Sequence, residues 1–116
     1  MDTFTLVRPE HLNHFGYLFG GQLLKWVDEF AWLYITRKYP KMMFVTRAMN
    51  NIEFKTKVPS GSILRFHIVE QKKGKTSITC LVEVHAQYPN AKEEIIVFSN
   101  DVTFVNIDQK GRKYII

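Results

Sequence analysis

Apolar residues recur at steps of three and four along one stretch of the chain: Leu23, Trp26, Val27, Phe30, Ala31 and Tyr34. That spacing predicts a helix with a continuous apolar stripe. Gly20-Gly21 supplies a flexible entry where the backbone turns tightly, and Pro40 ends the run by pushing its predecessor out of helical geometry. The helix is expected over residues 22–39, about 27 Å long at the helical rise. Leu24, Trp32, Leu33 and Ile35 widen the stripe until most of the surface is apolar. Cover on more than one side is therefore expected.

Outside this stretch the period is two. Phe4–Val7 reads as a short first strand closed by Arg8-Pro9. Met43–Val58 reads as a long strand, bent or bulged near Asn50-Asn51 where alternation breaks. Leu64, Phe66 and Ile68 alternate with Arg65 and His67, and Gly74 makes a hairpin turn. Ile78, Cys80, Val82, Val84 and Ala86 then give the cleanest strand pattern, and Glu94–Ile107 gives the last. One strand, one long helix and a meander of about four strands predict a single α+β domain over residues 1–116. An antiparallel sheet can wrap its apolar face around the helix. Met43–Ile52 is the expected pairing edge with a second chain, because an unpaired apolar edge invites aggregation.

Composition narrows the class. The chain has 116 residues, 46% of them hydrophobic and 23% charged, which is ordinary for a globular protein. No apolar run approaches a membrane span, and Met1-Asp2-Thr3 does not begin a secretory signal. Cys80 is the only cysteine and suits a reducing compartment, so a cytoplasmic protein with no membrane partner is expected. The net charge of +5 suggests an anionic partner. Its cations are dispersed, without a recognition motif, which disfavours nucleic acid. No Cys/His spacing suits a metal.

Candidate chemistry gathers around the helix start. Glycines leading into a helix put free N–H groups at its positive end, and without a side chain at Gly21 a carbonyl oxygen can approach them as in an oxyanion hole. The same glycines also suit close helix–sheet packing. Asp28 interrupts the apolar surface beside Leu24, Ala31 and Trp32, where a carboxylate is desolvated. The simplest reading of its spacing is a Lys25–Asp28 pair on a solvated flank. Its other reading is a general base toward water, or a nucleophile. Asn13 can orient a water or a carbonyl through its amide, or serve only as a turn residue. His11 and His14 read as loop or interface residues, Glu29 as a surface acid and Cys80 as core.

The run His11-x-Asn13-x-x-Gly16-x-x-Phe19-Gly20-Gly21-x-Leu23-Leu24-x-Trp26-x-Asp28-Glu29 resembles the signature of hotdog-fold acyl-CoA thioesterases of the cytosolic and brain acyl-CoA hydrolase type, with their short bacterial relatives. The resemblance implies a curved antiparallel sheet around one central helix. It also implies hydrolysis of acyl-CoA to free acid and coenzyme A. Asn13, Gly21 and Asp28 then fall on the family's active-site asparagine, oxyanion glycine and acid, with Gly20 beside them. Asn13 and Asp28 are expected to meet from different subunits of a homodimer or higher oligomer, up to a trimer of dimers. No cofactor is implied, since coenzyme A is part of the substrate. Lys73, Lys75, Thr76 and Ser77 resemble a segment that lies near bound coenzyme A, and Arg47 and Asn51 are further candidates for that groove.

Two departures stand out. Lys57 occupies a position where proline is usual, and Ser62 one where aspartate is usual, so the loop around them is expected to differ. A non-catalytic acyl-CoA-binding hotdog module is the main alternative. A dehydratase would need a histidine–acid pair for which only His11 and His14 are available, with poor spacing.

Overall fold

The computed structural model describes residues 1–116. A single helix, α1 (Gly20–Lys38), lies against one face of a five-stranded antiparallel sheet. The strands are β1 (Asp2–Leu6), β2 (Phe44–Phe54), β3 (Ile63–Lys73), β4 (Ser77–Gln87) and β5 (Glu94–Asn106). Their order across the sheet is β1-β3-β4-β5-β2. Three strands, β3, β4 and β5, form a meander, as alternation predicts. The fourth expected member does not follow them: β2 pairs with β5 rather than β3. The helix and its exit carry the chain from one sheet edge, β1, to the other, β2, and the meander fills the space between. Short-range alternation identifies a strand but carries no information about its partner.

The core is set by which face each strand offers. Ile78, Cys80, Val82, Val84 and Ala86 of β4 are fully buried. Their pairing through Cys80↔Val102 and Val84↔Phe98 puts β5 residues on the same face. Leu64, Phe66 and Ile68 extend that face into β3. Against it α1 buries Leu23, Val27, Ala31 and Ile35, one residue per turn. These residues belong to one cluster of 19 buried side chains. At about 25 cal/mol per Å² of apolar surface, such a cluster is the main favourable term in folding. No helix is long and apolar enough to cross a membrane.

The helix is covered on one side only. Trp32 and Leu33 stay 39% and 42% exposed, so the expected second cover is not supplied within this chain. The same holds for the edge strand beside them, where Val45, Ile52 and Phe54 are exposed, as is Met43 just before it. The helix starts two residues earlier than predicted, at Gly20, because Phe19 still has extended geometry and its carbonyl accepts the first helical bond from the Leu23 N–H. β2 ends at Phe54, short of Val58, once the Lys55 N–H makes its bond to Val97. The expected bend is present: pairing shifts between Asn50 and Glu53, and Asn51 takes a φ of 55°.

One core position conflicts with its surroundings. Asn100 pairs with Val82 on the helix-facing side of the sheet, and neither atom of its amide has a hydrogen-bond partner in the chain. A buried carboxamide without partners carries its full desolvation cost. Asn100→Leu should therefore raise stability by about 1 kcal/mol or more. Urea unfolding at unchanged m-value measures this, and a lower midpoint would contradict it.

Candidate active site

The first turn of α1 is electrostatically unfilled. Phe19 at the N-cap makes no side-chain capping bond, and no acid lies in the first turn. The N–H groups of Gly20, Gly21 and Gln22 find no acceptor in the chain. Three free donors and the positive end of the helix dipole thus point the same way. A Cβ on Gly21 would stand 2.7 Å from the Phe19 ring, so a side chain there would have to displace that ring. The missing side chain keeps the donors accessible.

Beside this turn lies a cavity of about 630 Å³ whose wall includes Asn13, Tyr17, Gly20, Leu23, Phe54 and Lys57. Asn13 holds its loop in shape. Its Oδ1 accepts from the Phe15 N–H at 2.9 Å and the Tyr17 N–H at 3.2 Å, while its own N–H donates to the Tyr17 carbonyl at 2.7 Å. This is an Asx-type turn. It leaves the Nδ2 hydrogens of Asn13 without a partner in the chain. His11 is held in place: its Nδ1 accepts from the Arg8 N–H, and its ring meets Trp26 edge-on at 4.7 Å. His14 is exposed beside Phe15.

Asp28 is half-buried and aims at the sheet edge rather than into that cavity. The Thr46 hydroxyl donates to its Oδ1 at 2.6 Å. The anticipated pair with Lys25 does not form, and no cation lies within 4.0 Å of the carboxylate. One turn on, the Trp32 Nε1–H donates to the Phe44 carbonyl at 2.9 Å. Asp28 and Trp32 thus fasten one flank of the helix to the edge strand β2. Thr46 was not singled out in the sequence. A half-buried carboxylate needs a donor, and a hydroxyl on the apolar edge strand was the available signal.

The remaining candidates lie elsewhere. Gly20 packs beside Phe54, which is level with Phe98 of β5, whereas Ser77 is level with Val105. Seven residues of strand separate them, about 23 Å at the strand rise. One chain therefore does not bring Lys73, Lys75, Thr76 and Ser77 to the helix N-terminus. Lys73 stands over the Tyr39 ring, and the Lys75 carbonyl accepts from the Ile116 N–H. Arg47 is the extra residue of a bulge in β2 and makes no ion pair. Asn51 donates to Asp101 at 2.7 Å, which secures the second bulge. Ser62 is fully buried, its hydroxyl donating to the Pro59 carbonyl, a place where a charged carboxylate would be costly.

The sheet wrapped on one helix has counterparts of known class. Residues 15–90 match the model of the Thioesterase superfamily. An uncharacterized acyl-CoA thioester hydrolase of Zymomonas mobilis is 31% identical over 92% of this chain and 71% of its own length. A hexameric hotdog fold thioesterase of Campylobacter jejuni is 30% identical, covering 98% of this chain and 87% of that one at a TM-score of 0.87. A hexameric broad specificity acyl-coenzyme A thioesterase is 26% identical, covering 98% and 78%, also at 0.87. The fold is the hotdog fold. The chain belongs to the thioesterase superfamily.

Cys80 takes no part in the site. It is a fully buried thiol, and burial pushes its pKa up to about 12. The folded state therefore favours the protonated thiol. That contribution to stability is complete below the unfolded thiol value near 9 and is lost as pH rises toward 12. At pH 8 the native protein should not react with a thiol-exchange reagent until it is unfolded, as followed by chromophore release. Fast stoichiometric labelling of the native state would contradict the placement.

Proposed function

We infer that the chain is an acyl-CoA thioesterase, hydrolysing the thioester of acyl-CoA to the free acid and coenzyme A. The observation that carries this reading is the pairing of three unfilled N–H donors at Gly20, Gly21 and Gln22 with an un-neutralised, half-buried carboxylate at Asp28 further along the same helix. The named acyl-CoA hydrolase and thioesterase relatives support the substrate class.

The chemistry follows from the geometry. The donors at the helix start receive the carbonyl oxygen as negative charge develops on it. Asp28 takes a proton from a water whose oxygen attacks the carbonyl carbon. The tetrahedral intermediate then collapses, breaking the C–S bond, and the proton held by Asp28 passes to the departing sulfur. Direct attack by the carboxylate, through a mixed anhydride that water later opens, uses the same atoms. Gly21 and Asp28 are about 10 Å apart along one helix at the helical rise, too far to act on one carbonyl. Asn13 and Gly21 of one chain are therefore assigned to work with Asp28 of another.

The exposed β2 edge, together with Trp32 and Leu33, is the surface on which two chains would join. Asp28 lies at its border. The solved relatives named as hexameric support a homo-oligomer, which we assign as edge-to-edge dimers assembling up to a trimer of dimers. We place the enzyme in the cytoplasm, consistent with its one buried free thiol. Lys73, Lys75, Thr76, Ser77, Arg47 and Asn51 are kept as coenzyme contacts that only a second chain could bring to the site.

Thiol release from a panel of acyl-CoAs tests the reading. Asp28→Asn should lower kcat by at least about a hundredfold, the scale of a lost general base. Asn13→Ala should lower it as well, by a smaller factor. Unchanged turnover in the Asp28 variant would remove the mechanism. Tight acyl-CoA binding without thiol release in the native protein would favour a non-catalytic binding module. Mixing unfolded Asn13→Ala and Asp28→Asn chains and refolding them together should restore part of the activity, because a mixed dimer contains one intact site. No recovery, in a mixture shown to contain mixed dimers, would place both residues in a single-chain site.

A further inference from the structure

The cavity beside the helix N-terminus has an apolar wall and one unspent cation. Of its two lysines, Lys55 is neutralised by Glu53 at 2.7 Å. Lys57 has no carboxylate within 4.0 Å. Its position is nonetheless defined. The Tyr88 hydroxyl donates to its backbone carbonyl, and its Nζ stands over the Tyr17 ring at 5.1 Å from the centroid. Pinned backbone and stacked ammonium keep the charge at the cavity.

Size decides which anion it can meet. The cavity reaches Gly20, where the thioester carbonyl would be held, and 630 Å³ corresponds to a sphere about 10 to 11 Å across. The pyrophosphate of coenzyme A lies thirteen bonds from its sulfur, about 15 Å when extended. An extended coenzyme whose carbonyl sits at Gly20 therefore carries its phosphates past the cavity. A carboxylate at the far end of a short acyl chain falls within reach, since about four to six carbons span roughly 4 to 6 Å.

We propose that Lys57 is a specificity-determining residue that selects acyl-CoAs with a terminal carboxylate, the short ω-carboxyacyl thioesters. Leu18, Leu23, Phe54 and Val58 pack against the methylene chain, and the exposed Lys57 ammonium pairs with the distal carboxylate at the open side of the pocket. This rests on the thioesterase reading above and adds the substrate class to it.

The test compares size-matched substrates, glutaryl-CoA against valeryl-CoA and succinyl-CoA against butyryl-CoA, in native enzyme, Lys57→Met and Lys57→Glu. The native enzyme should favour the charged member of each pair in kcat/KM. Lys57→Met should cut that ratio by about tenfold, the scale of one charge-assisted hydrogen bond, and Lys57→Glu should cut it further. A native preference for the neutral substrates overturns the proposal, as does a ratio that Lys57→Met leaves unaltered. An equal fall for both members of a pair overturns it too, and gives Lys57 to the coenzyme part of the substrate. If none of the four thioesters releases thiol while other acyl-CoAs do, the proposal is overturned; if no acyl-CoA of the wider panel releases thiol, the thioesterase reading itself fails. That outcome is distinct from hydrolysis without discrimination. Circular dichroism of each variant separates loss of selectivity from loss of fold.

Discussion

The arrangement depends on one constraint: four side chains at one-turn spacing, Leu23, Val27, Ala31 and Ile35, must leave water together, and only the apolar face of the sheet can receive them. That contact fixes the rotation of the helix about its own axis. Once it is fixed, the direction of every other helical residue follows. Leu24, Asp28 and Trp32 are turned toward the edge strand, where Thr46 and the Phe44 carbonyl meet them. The orientation of the acid is thus a result of hydrophobic burial, with the hydrogen bond from Thr46 only trimming it. A rotation by one residue, about 100°, would bury the carboxylate or turn it to open solvent.

The same helix gives up stability at its start. Good capping practice would put a serine, threonine or aspartate before it and an acid in its first turn. Phe19 and the two glycines do neither, so the positive end of the dipole stays uncompensated. At the other end Arg37 and Lys38 follow the rule. A local departure of this kind, in a chain that otherwise obeys pattern and propensity, is the mark of a site that serves something other than folding.

Much of this was legible in the sequence. Period-four spacing located the helix, and alternation located four of the five strands nearly to their ends. The break at Asn50-Asn51 anticipated the bulge. Boundaries failed where glycine or an extended neighbour blurs them: Gly20 is helical because Phe19 happens to offer its carbonyl. Strand order was not legible, since the pairing of β2 with β5 is a property of the whole chain and not of any window within it. The candidate site was legible only as a set of irregularities. Gly20, Gly21 and Asp28 were visible as anomalies in an apolar run. Thr46 was not, because a threonine in a strand breaks no rule. The single cover on the helix was missed for a related reason: an all-round apolar helix states that it is covered, but not by which chain.

Asn106 ties two distant pieces of chain through one buried amide. Its Oδ1 accepts from the Met43 N–H at the mouth of β2, and its Nδ2 donates to the carbonyls of Tyr114 and Ile115. The edge strand and the final residues therefore share an anchor, and neither can open without stripping the amide of a partner. Cooperativity follows. The last residues, although mostly solvent-facing, are tied to the border of the sheet, so any bulky extension that pries up the tail would loosen the edge strand as well.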